Sequence, residues 1–385
     1  MLSARPHERA SFFRAWRHVD HALIVAVAAT ATIGCLAVYS ATRQRLANLG
    51  LPETTSLNRQ GRFIVVGLGA MVVMTLIDYR NLRPMAPYVF GGTVLLLLGV
   101  KSPLGSTVRG TQAWYQLGTF QFQPSEWAKI AVVICAAAFC ASFRGSLRGG
   151  HIVGVLLLAA VPIGLIYLQP DLGTALVFIA VLLGVLAVGG ANPRHLAFLA
   201  ALGVTAVVLV LQLGVLKQYQ LDRLGAFLDQ EGSRQRVTYS VNPAVYNLNQ
   251  SKIAIGSGGI TGRGLFQGTQ TNLAYVPEQS TDFVFTAIGE EAGLIGSMTL
   301  IGLYGFIMWR VWRAAATARD LFGTLVCVGV MCMFVFQIFE NMGMTMGIMP
   351  ITGIPLPFVS AGGSSTIGAF AGLGLVLNVG MRRFS

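Results

Sequence analysis

Residues 151–191 read HIVGVLLLAAVPIGLIYLQPDLGTALVFIAVLLGVLAVGGA. The stretch holds two apolar runs, 151–168 and 173–191, and its one Asp, Glu, Lys or Arg side chain, Asp171, lies between them. Each run is close to the roughly 20 apolar residues that cross a bilayer as a helix. Because Pro170 ends the first run and Asp171 can cap the second, the pattern predicts two transmembrane helices joined by a tight turn.

The same apolar pattern recurs along the whole chain. Hydrophobic residues make up 54% of the 385 residues and charged residues only 11%, against about 25% charged in a typical soluble domain. This composition excludes a soluble globular protein, a disordered chain and a nucleic-acid-binding protein, despite the net charge of +12. We predict an all-α integral membrane protein, a single polytopic domain over 1–385, whose ten spans lie at about 22–40, 62–78, 85–101, 125–143, 151–168, 173–191, 195–216, 283–309, 321–347 and 358–380.

The basic residues predict the orientation of these spans. With the N-terminus in the cytoplasm, the cytoplasmic segments hold fourteen arginines and the short outer loops hold six basic residues, as the positive-inside rule requires. Both termini, including an N-terminal tail over 1–21, are therefore expected in the cytoplasm. The segment 217–282 between helices 7 and 8 is expected to be a large extracytoplasmic loop, and loops of that length are usually functional.

Ionisable residues inside membrane spans are costly and point to function. Under the predicted topology Glu126, Asp171 and Asp282 all lie toward the outer face, so we expect these three carboxylates to converge beside the long loop. Glu126 and Lys129 are spaced i,i+3 and can pair. Such a pair either neutralises two buried charges or shapes a polar cavity, and the sequence leaves both interpretations open.

Asp282 lies in VPEQSTDFVF, residues 276–285, where a polar loop meets an apolar helix. It is either a carboxylate at the N-terminus of that helix, with Ser280 or Thr281 as the cap, or a general base at the membrane boundary. The deeper carboxylates Glu290, Glu291 and Glu340 are expected to have structural roles.

Two glycine-rich stretches stand out. GSGGITGRG at 256–264 follows Lys252 and is interpreted either as a phosphate-facing surface or as a flexible loop. PITGIPLPFVSAGGSS at 350–365 is predicted to be a re-entrant or broken segment that leads into the last span and lines the outer cavity. The five cysteines form no CxxC pair and the five histidines show no metal-ligand spacing, so neither a disulfide framework nor a histidine metal site is predicted.

Four motifs occur in a fixed order, and the resemblance that they carry runs from about the first span to the last, over nearly the whole chain. They lie at 123–129 (QPSEWAK), 169–174 (QPDLGT), 281–291 (TDFVFTAIGEE) and 355–364 (PLPFVSAGGS). Together they resemble the shape, elongation, division and sporulation (SEDS) family, closer to its elongation (RodA-like) branch than to its division (FtsW-like) branch. The sequence departs from the family at Ala113, where an arginine often precedes the tryptophan, and at Ala361, where a tyrosine is frequent. Arg109 could replace the missing arginine.

The resemblance implies a peptidoglycan glycosyltransferase of the bacterial cytoplasmic membrane that polymerises lipid II at the outer face, for cell elongation and rod shape. Asp282 matches the family's catalytic aspartate and would act as general base. The pyrophosphate of the donor needs cations, a helix N-terminus or a bound Mg²⁺ or Mn²⁺ ion. The residues expected to bind substrate or line the cavity are Glu126, Lys129, Asp171, Lys252, Gln279, Thr281, Arg109 and Ser360, with Arg223 as a further candidate.

The family also implies a partner, a class B penicillin-binding protein within the elongation or division machinery. The sequence contains no S-x-x-K motif of a transpeptidase, so cross-linking would come from that partner. The alternative function is a transporter that flips lipid II. A flippase would need polar residues along the full membrane depth and access from the cytoplasmic side, whereas the predicted carboxylates cluster at the outer face.

Overall fold

The computed structural model describes residues 18–108, 111–118, 120–143, 146–212, 218–228 and 243–384. These residues form a helical bundle with one small sheet. The helices are α1 His21–Asn48, α2 Thr55–Leu76, α3 Tyr79–Gly99, α4 Pro124–Ala141, α5 Gly149–Tyr167, α6 Leu172–Val188, α7 Pro193–Gln212, α8 Gln218–Leu228, α9 Pro243–Gly258, α10 Thr269–Asn272, α11 Val284–Glu291, α12 Gly293–Ala316, α13 Leu321–Met346 and α14 Gly363–Met381. The strands are β1 Ser106–Val108, β2 Thr111–Leu117 and β3 Phe120–Phe122.

The all-α membrane fold is confirmed. Eight described helices are long and apolar enough to cross a bilayer, and the 17 residues of α6 form a shorter apolar helix. Helices α2 and α3 begin earlier than predicted, and Pro84, which lay before the predicted third span, is inside α3. The exact number of ten spans stays a prediction.

The prediction of one continuous span at 283–309 is wrong, because this segment forms two helices. Its α11 part ends at Glu291 and α12 begins at Gly293, whose φ of +62° turns the chain between them. The segment after α9 fills this break: the amides of Arg263 and Gly264 donate to the carbonyls of Glu290 and Glu291, both at 3.0 Å. Apolar composition alone did not reveal the break, since both helices are hydrophobic.

The centre of the bundle is formed by α4 and α14, which are buried over most of their length. Close approach of α2 and α14 depends on glycines: a Cβ on Gly67 would lie 2.7 Å from the Phe370 ring, and one on Gly374 would lie 2.5 Å from the Met71 carbonyl. This approach fixes α14 against α2 along its whole length, so the N-terminal ends of both helices meet on one side of the bundle.

The predicted outer loop 217–282 is mostly helical where the structure describes it. Helix α9 packs on the bundle: the Ser251 hydroxyl lies 2.6 Å from the Thr286 hydroxyl of α11 and donates to the Thr345 carbonyl of α13 at 2.8 Å. A second, smaller hydrophobic core supports this contact and is formed by Leu248, Val276, Phe283, Met344 and Ile351. This docking holds the segment that carries Asp282 against α13.

The two ends of the described bundle lie on the same face. The start of α1 meets the end of α12 through an ion pair in which Arg310 Nη2 is 2.6 Å from Asp20 Oδ2, and the end of α14 lines the same pocket. Shared placement of the first and last helix ends agrees with the predicted topology, in which both termini are on one side.

Candidate functional site

A cavity of about 520 Å³ opens at the opposite end of α14. Its wall carries the carboxylates of Glu126, Asp171 and Asp282, which are far apart in sequence. Thr281 and Lys129 also line it. The sequence therefore predicted correctly that these groups meet at one site, while their chemical roles stay predictions.

Four helices begin at this cavity. The first turns of α2, α4, α6 and α14 all contribute lining residues, among them Arg59, Gln123, Thr174 and Ser364. Each helix N-terminus carries partial positive charge, which favours an anion, and at α6 the carboxylate of Asp171 already accepts from one of the first amides. With the side chains of Arg59, Lys129 and Arg223 on the same wall, the cavity is suited to a ligand with negative charge.

Glu126 and Lys129 form a buried pair in the first turns of α4. Lys129 Nζ lies 2.7 Å from Glu126 Oε1, and the side chains are only 3% and 6% exposed. Pro124 occupies the first helical position, where its missing N–H has no cost, so α4 begins close enough to the cavity for both residues to face it. Both interpretations of the pair hold, because it neutralises two buried charges and also forms part of the cavity wall.

Asp171 caps α6, as the sequence indicated. Its Oδ1 accepts from the Thr174 amide at 3.0 Å, and its Oδ2 accepts from the hydroxyls of Thr174 at 2.8 Å and Ser125 at 3.4 Å. The carboxylate therefore fixes the start of α6 and ties it to the start of α4. It orients a helix N-terminus toward the cavity and has both oxygens occupied.

Asp282 is half-buried and lies just before α11. The N-cap residue of that helix is Phe283, which makes no side-chain cap hydrogen bond, so the prediction that Ser280 or Thr281 caps it is wrong. A Cβ built on Gly353 would lie 3.2 Å from Asp282 Oδ2 and 3.9 Å from Arg223 Nη1. The carboxylate and the guanidinium thus flank the same glycine, at the cavity wall.

Asn341 of α13 is a site residue that the sequence analysis missed. Its Nδ2 donates to the carbonyl of Asp282 and to the carbonyl of Ile354, both at 2.8 Å, and its side chain is fully buried. One amide therefore joins two cavity segments that are 72 residues apart. The only sequence signal was a polar residue inside an apolar span, beside the noticed Glu340.

The structure does not bring every predicted residue to the cavity. Lys252 and Gln279 are not among its lining residues, and the Gln279 amide instead donates to the Thr271 hydroxyl at 2.8 Å. Ser360 lies behind the wall, where its hydroxyl accepts from the Leu356 amide at 2.9 Å and stabilises a turn. Arg109 lies outside the described residues.

The glycine-rich stretch 256–264 is a packing surface and not a cavity surface. A Cβ on Gly258 would lie 2.0 Å from the Gly289 carbonyl, and one on Gly262 would lie 2.1 Å from the Glu291 carbonyl. Arg263 Nε donates to the Ser257 carbonyl at 3.2 Å, away from the cavity. The contacts of Gly258 and Gly262 are therefore structural, and the phosphate-facing interpretation of the stretch stays a prediction.

The second stretch, 350–365, has the irregular backbone that the sequence predicted. It has no regular secondary structure from Pro350 to Leu356, and α14 begins at Gly363. Thr352, Gly353 and Gly362 line the cavity. Irregular backbone inside a membrane protein is tolerated where it is buried or borders a cavity, and this segment does both.

Two of the deeper glutamates, Glu290 and Glu291, have the structural contacts that were expected. The Glu290 carboxylate accepts from the amides of Gln270 at 2.8 Å and Thr271 at 2.9 Å, so it caps the short helix α10. Glu291 accepts from the Ser40 hydroxyl of α1. Glu340 is fully buried in α13, and neither of its oxygens has a partner at hydrogen-bonding distance.

No group of three or more His, Cys, Asp and Glu side chains within the described ranges could hold a metal ion. Glu126 is paired with Lys129 and Asp171 caps α6, so two of the three cavity carboxylates already have partners. The described residues therefore do not form a site in which protein side chains alone could hold Mg²⁺ or Mn²⁺, and no step of the chemistry below is derived through one.

The fold and cavity define a multi-pass membrane protein with a polar site at one membrane face. Residues 20–384 match the FtsW/RodA/SpoVE family model, described as cell cycle protein. The chain therefore belongs to this family, the SEDS family, and it is a protein of the bacterial cytoplasmic membrane.

Individual relatives agree with this assignment. The chain is 36% identical to the peptidoglycan glycosyltransferase MrdB of Escherichia coli (strain K12) over 368 residues, which cover 95% of this chain and 94% of MrdB. It superposes with a TM-score of 0.76 and 32% identity on a chain from a structure described as structural coordination of polymerization and crosslinking by a peptidoglycan synthase complex, covering 95% and 99% of the two chains. The rod shape determining protein RodA of Thermus thermophilus matches with a TM-score of 0.70 and 30% identity, covering 95% and 98%.

Proposed function

We propose that the chain is a peptidoglycan glycosyltransferase of the elongation type, which polymerises lipid II at the outer membrane face with Asp282 as general base. The observation that carries the proposal is the cavity in which three carboxylates, three basic side chains and four helix N-termini meet. The 36% identity to a named peptidoglycan glycosyltransferase over nearly the full length supports the reaction.

The reaction needs one proton acceptor and a stabilised leaving group. Asp282 takes the proton from the acceptor sugar hydroxyl as the new glycosidic C–O bond forms at the donor's anomeric carbon. The bond to the lipid pyrophosphate breaks in the same displacement. A positioned base contributes about 10²–10⁴-fold, and Asp282 is the cavity carboxylate that neither forms the Glu126–Lys129 pair nor caps α6.

The leaving pyrophosphate gains negative charge in the transition state. Lys129, Arg59 and Arg223 line the cavity together with the four helix N-termini, and preorganised positive charge of this kind stabilises such a transition state without reorganisation. Arg223 also donates to the Thr352 carbonyl at 3.3 Å, which holds its guanidinium beside Gly353 and the Asp282 carboxylate.

A flippase is less well supported, because among the described residues the cavity does not continue past the Glu126–Lys129 pair as a wide path. Behind the Glu126–Lys129 pair lies a void of about 10 Å³, bordered by Gln337, Pro357 and Ser360. A void of that size holds at most one water molecule, whereas a disaccharide headgroup would need far more space.

We also propose a partner that cross-links the product. The structurally similar chain comes from a complex described as coordinating polymerization and crosslinking, and this sequence has no S-x-x-K motif. A class B penicillin-binding protein would supply the transpeptidase.

The test is glycan polymerisation from labelled lipid II by the purified chain with its penicillin-binding partner. We expect Asp282→Asn to lower the rate by at least about 10²-fold while partner binding and the unfolding temperature stay as in the wild type. The matched control Asp222→Asn removes a carboxylate from α8 that does not line the cavity. Polymerisation by Asp282→Asn at the wild-type rate would disprove the general-base role, and inactive wild type would disprove the polymerase.

A further inference from the structure

The hairpin of β2 and β3 forms one wall of the cavity. Trp114 of β2 lines the cavity, together with Gln121 of β3 and Gln123, which directly follows β3. Two aromatic side chains of the described part of the chain are among the lining residues, Phe63 and Trp114. An aromatic ring at a cavity wall serves either the packing of the protein or the binding of a ligand, and its contacts distinguish these two roles.

The ring of Phe63 is occupied by other parts of the protein. The centroid of the Phe120 ring lies 5.7 Å from its own, and the guanidinium of Arg59 lies 5.6 Å from its centroid. A Cβ on Gly363 would lie 3.0 Å from the same ring, so the start of α14 packs against it as well. Phe63 therefore belongs to the packing between α2, β3 and α14.

The indole of Trp114 makes no contacts of this kind within the described ranges. There, no aromatic ring stacks on it, no arginine lies over it, and its Nε1–H is neither hydrogen-bonded nor buried. The residue is half-buried, and its side chain borders the cavity. The indole therefore presents both an apolar ring and a hydrogen-bond donor to a ligand in the cavity.

The hairpin holds Trp114 in place before any ligand binds. The Ser106 hydroxyl of β1 donates to the Trp114 carbonyl at 3.1 Å. Side chains alternate along a strand, so the neighbouring Tyr115 points away: its hydroxyl donates to the Leu96 carbonyl at 2.9 Å, and its ring stacks on Phe122 with centroids 6.4 Å apart. A wall that is already ordered loses less entropy when a ligand binds to it.

The pairing of β2 with β3 places uncharged amides beside the indole. Gln116 lies opposite Gln121, and the same antiparallel register puts Gln123 opposite Trp114. Residues that are paired across two strands project their side chains to the same face of the sheet, and both Gln121 and Gln123 line the cavity. This wall therefore combines an apolar ring with neutral hydrogen-bonding groups.

We propose that Trp114 is the stacking surface for a pyranose ring of the substrate's saccharide, with Gln121 and Gln123 facing the hydroxyl and acetamido groups at the edge of that ring. The C–H bonds on the flat face of a pyranose form an apolar surface that packs on an aromatic ring, and tryptophan adds an N–H donor at its edge. The inference rests on the proposed glycosyl transfer. It assigns the saccharide to the hairpin and the pyrophosphate to the basic side chains of the cavity.

The test measures lipid binding by the full chain in detergent, in an Asp282→Asn parent that does not consume lipid II. Adding Trp114→Ala should weaken binding of lipid II at least about tenfold, while undecaprenyl pyrophosphate, which has no saccharide, should bind within about twofold of the parent. A lipid II analogue without its stem peptide should show the same loss as lipid II. Trp312→Ala is the matched control, since Trp312 is exposed on α12 and does not line the cavity, and it should bind all three lipids as the parent does.

A second variant covers the case in which Trp114→Ala fails to fold. Trp114→Phe keeps an aromatic ring and loses the N–H, so it should lose a smaller part of the affinity for lipid II and none for undecaprenyl pyrophosphate. Equal effects on the two lipids, or parental binding of lipid II by Trp114→Ala, would overturn the proposal. Failure of the proposed function is distinguishable, because an inactive wild type would disprove the polymerase without changing the comparison between the two lipids.

Discussion

Asp171, Glu126 and Asp282 each carry a carboxyl group and line the same cavity, but the surroundings of the three groups differ. Asp171 accepts two hydrogen bonds from Thr174, and Glu126 lies 2.7 Å from Lys129. Asp282 lies at the wall beside Gly353 and Arg223. The residue types indicated that all three carboxylates were functional candidates. Only their neighbours show that Asp171 is a helix cap and Glu126 is part of an ion pair, and these contacts leave Asp282 as the candidate base.

The buried pair on α4 gives the first residue-scale prediction. Lys129→Met leaves Glu126 as an unpaired buried charge and should destabilise the fold by about 3–5 kcal/mol. The double variant Glu126→Gln/Lys129→Met should recover the wild-type stability, because both charges are gone. It should still polymerise lipid II at least about tenfold more slowly, since the cavity has lost a cation. Thermal unfolding in detergent and the polymerisation assay measure the two effects separately, and a fully active double variant would reduce the pair to charge neutralisation.

Gly353 gives the second residue-scale prediction. Its φ of +77° strains any other residue, and a Cβ there would lie 3.2 Å from Asp282 Oδ2, so the carboxylate would have to move by a few tenths of an ångström. Gly353→Ala should lose about 1–2 kcal/mol of stability from backbone strain and at least about tenfold in rate from displacement of Asp282.

Gly50→Ala is the matched control, since Gly50 has a φ of +68° and no atom near its Cβ position. It should show the same strain with the wild-type rate. Equal rates for both alanine variants would mean that the contact with Asp282 is unimportant.

At the scale of elements, the break between α11 and α12 limits the helix that follows Asp282 to the eight residues Val284–Glu291. In a continuous helix over the predicted span 283–309, the carbonyls of Glu290 and Glu291 would accept from amides of the same helix and would not be available to the amides of Arg263 and Gly264. The break is stabilised by backbone contacts between segments that are about 30 residues apart, and these contacts require glycines. The glycine-rich stretch that suggested a phosphate site is thus the element that sets the geometry of the helix carrying the candidate base.

Gly262→Ala tests this contact. Its φ is +81°, and its Cβ would lie 2.1 Å from the Glu291 carbonyl, so the variant adds a steric clash to backbone strain. Gly259→Ala is the control, because Gly259 has a φ of +57° with nothing near its Cβ position. We expect Gly262→Ala to be less stable than the control by about 1–3 kcal/mol, as measured by circular dichroism during thermal unfolding. Equal stabilities would show that the break does not depend on this packing.

On the scale of the whole molecule, α14 connects two polar sites at opposite faces. Its first turn lines the cavity, and its last turn lines the pocket beside the Asp20–Arg310 ion pair. The N-terminal ends of α2, α4, α6 and α14 gather at the cavity side because these four helices run in the same direction through the bundle. Their dipoles therefore add at one face, which the order of helices in the sequence does not reveal by itself.

The orientation of the molecule is testable with single cysteines. Tyr275 lies in the predicted outer segment, and 43% of its side chain is exposed. Ala316 is exposed at the end of α12. A membrane-impermeant maleimide should label Tyr275→Cys on intact cells and Ala316→Cys only after permeabilisation. The unsubstituted chain gives the background from its five cysteines, and the reverse labelling pattern would invert the topology.

Composition, apolar spacing and basic residues were enough to predict the membrane fold, the approximate positions of the long apolar helices and the convergence of Glu126, Asp171 and Asp282, because the bilayer restricts how such a chain can fold. The helices α8, α9 and α10 within the predicted loop 217–282 were missed. Local signals also identified the cap at Asp171 and the Glu126–Lys129 pair, since both depend on residues close in sequence. The split of span eight, the roles of Gly262 and Asn341 and the absence of Lys252 from the cavity were decided only by the tertiary structure. Each of these features depends on contacts between segments that are far apart in sequence. Whether such a contact forms is determined by how closely the two backbones approach, and the residue type alone does not reveal this distance.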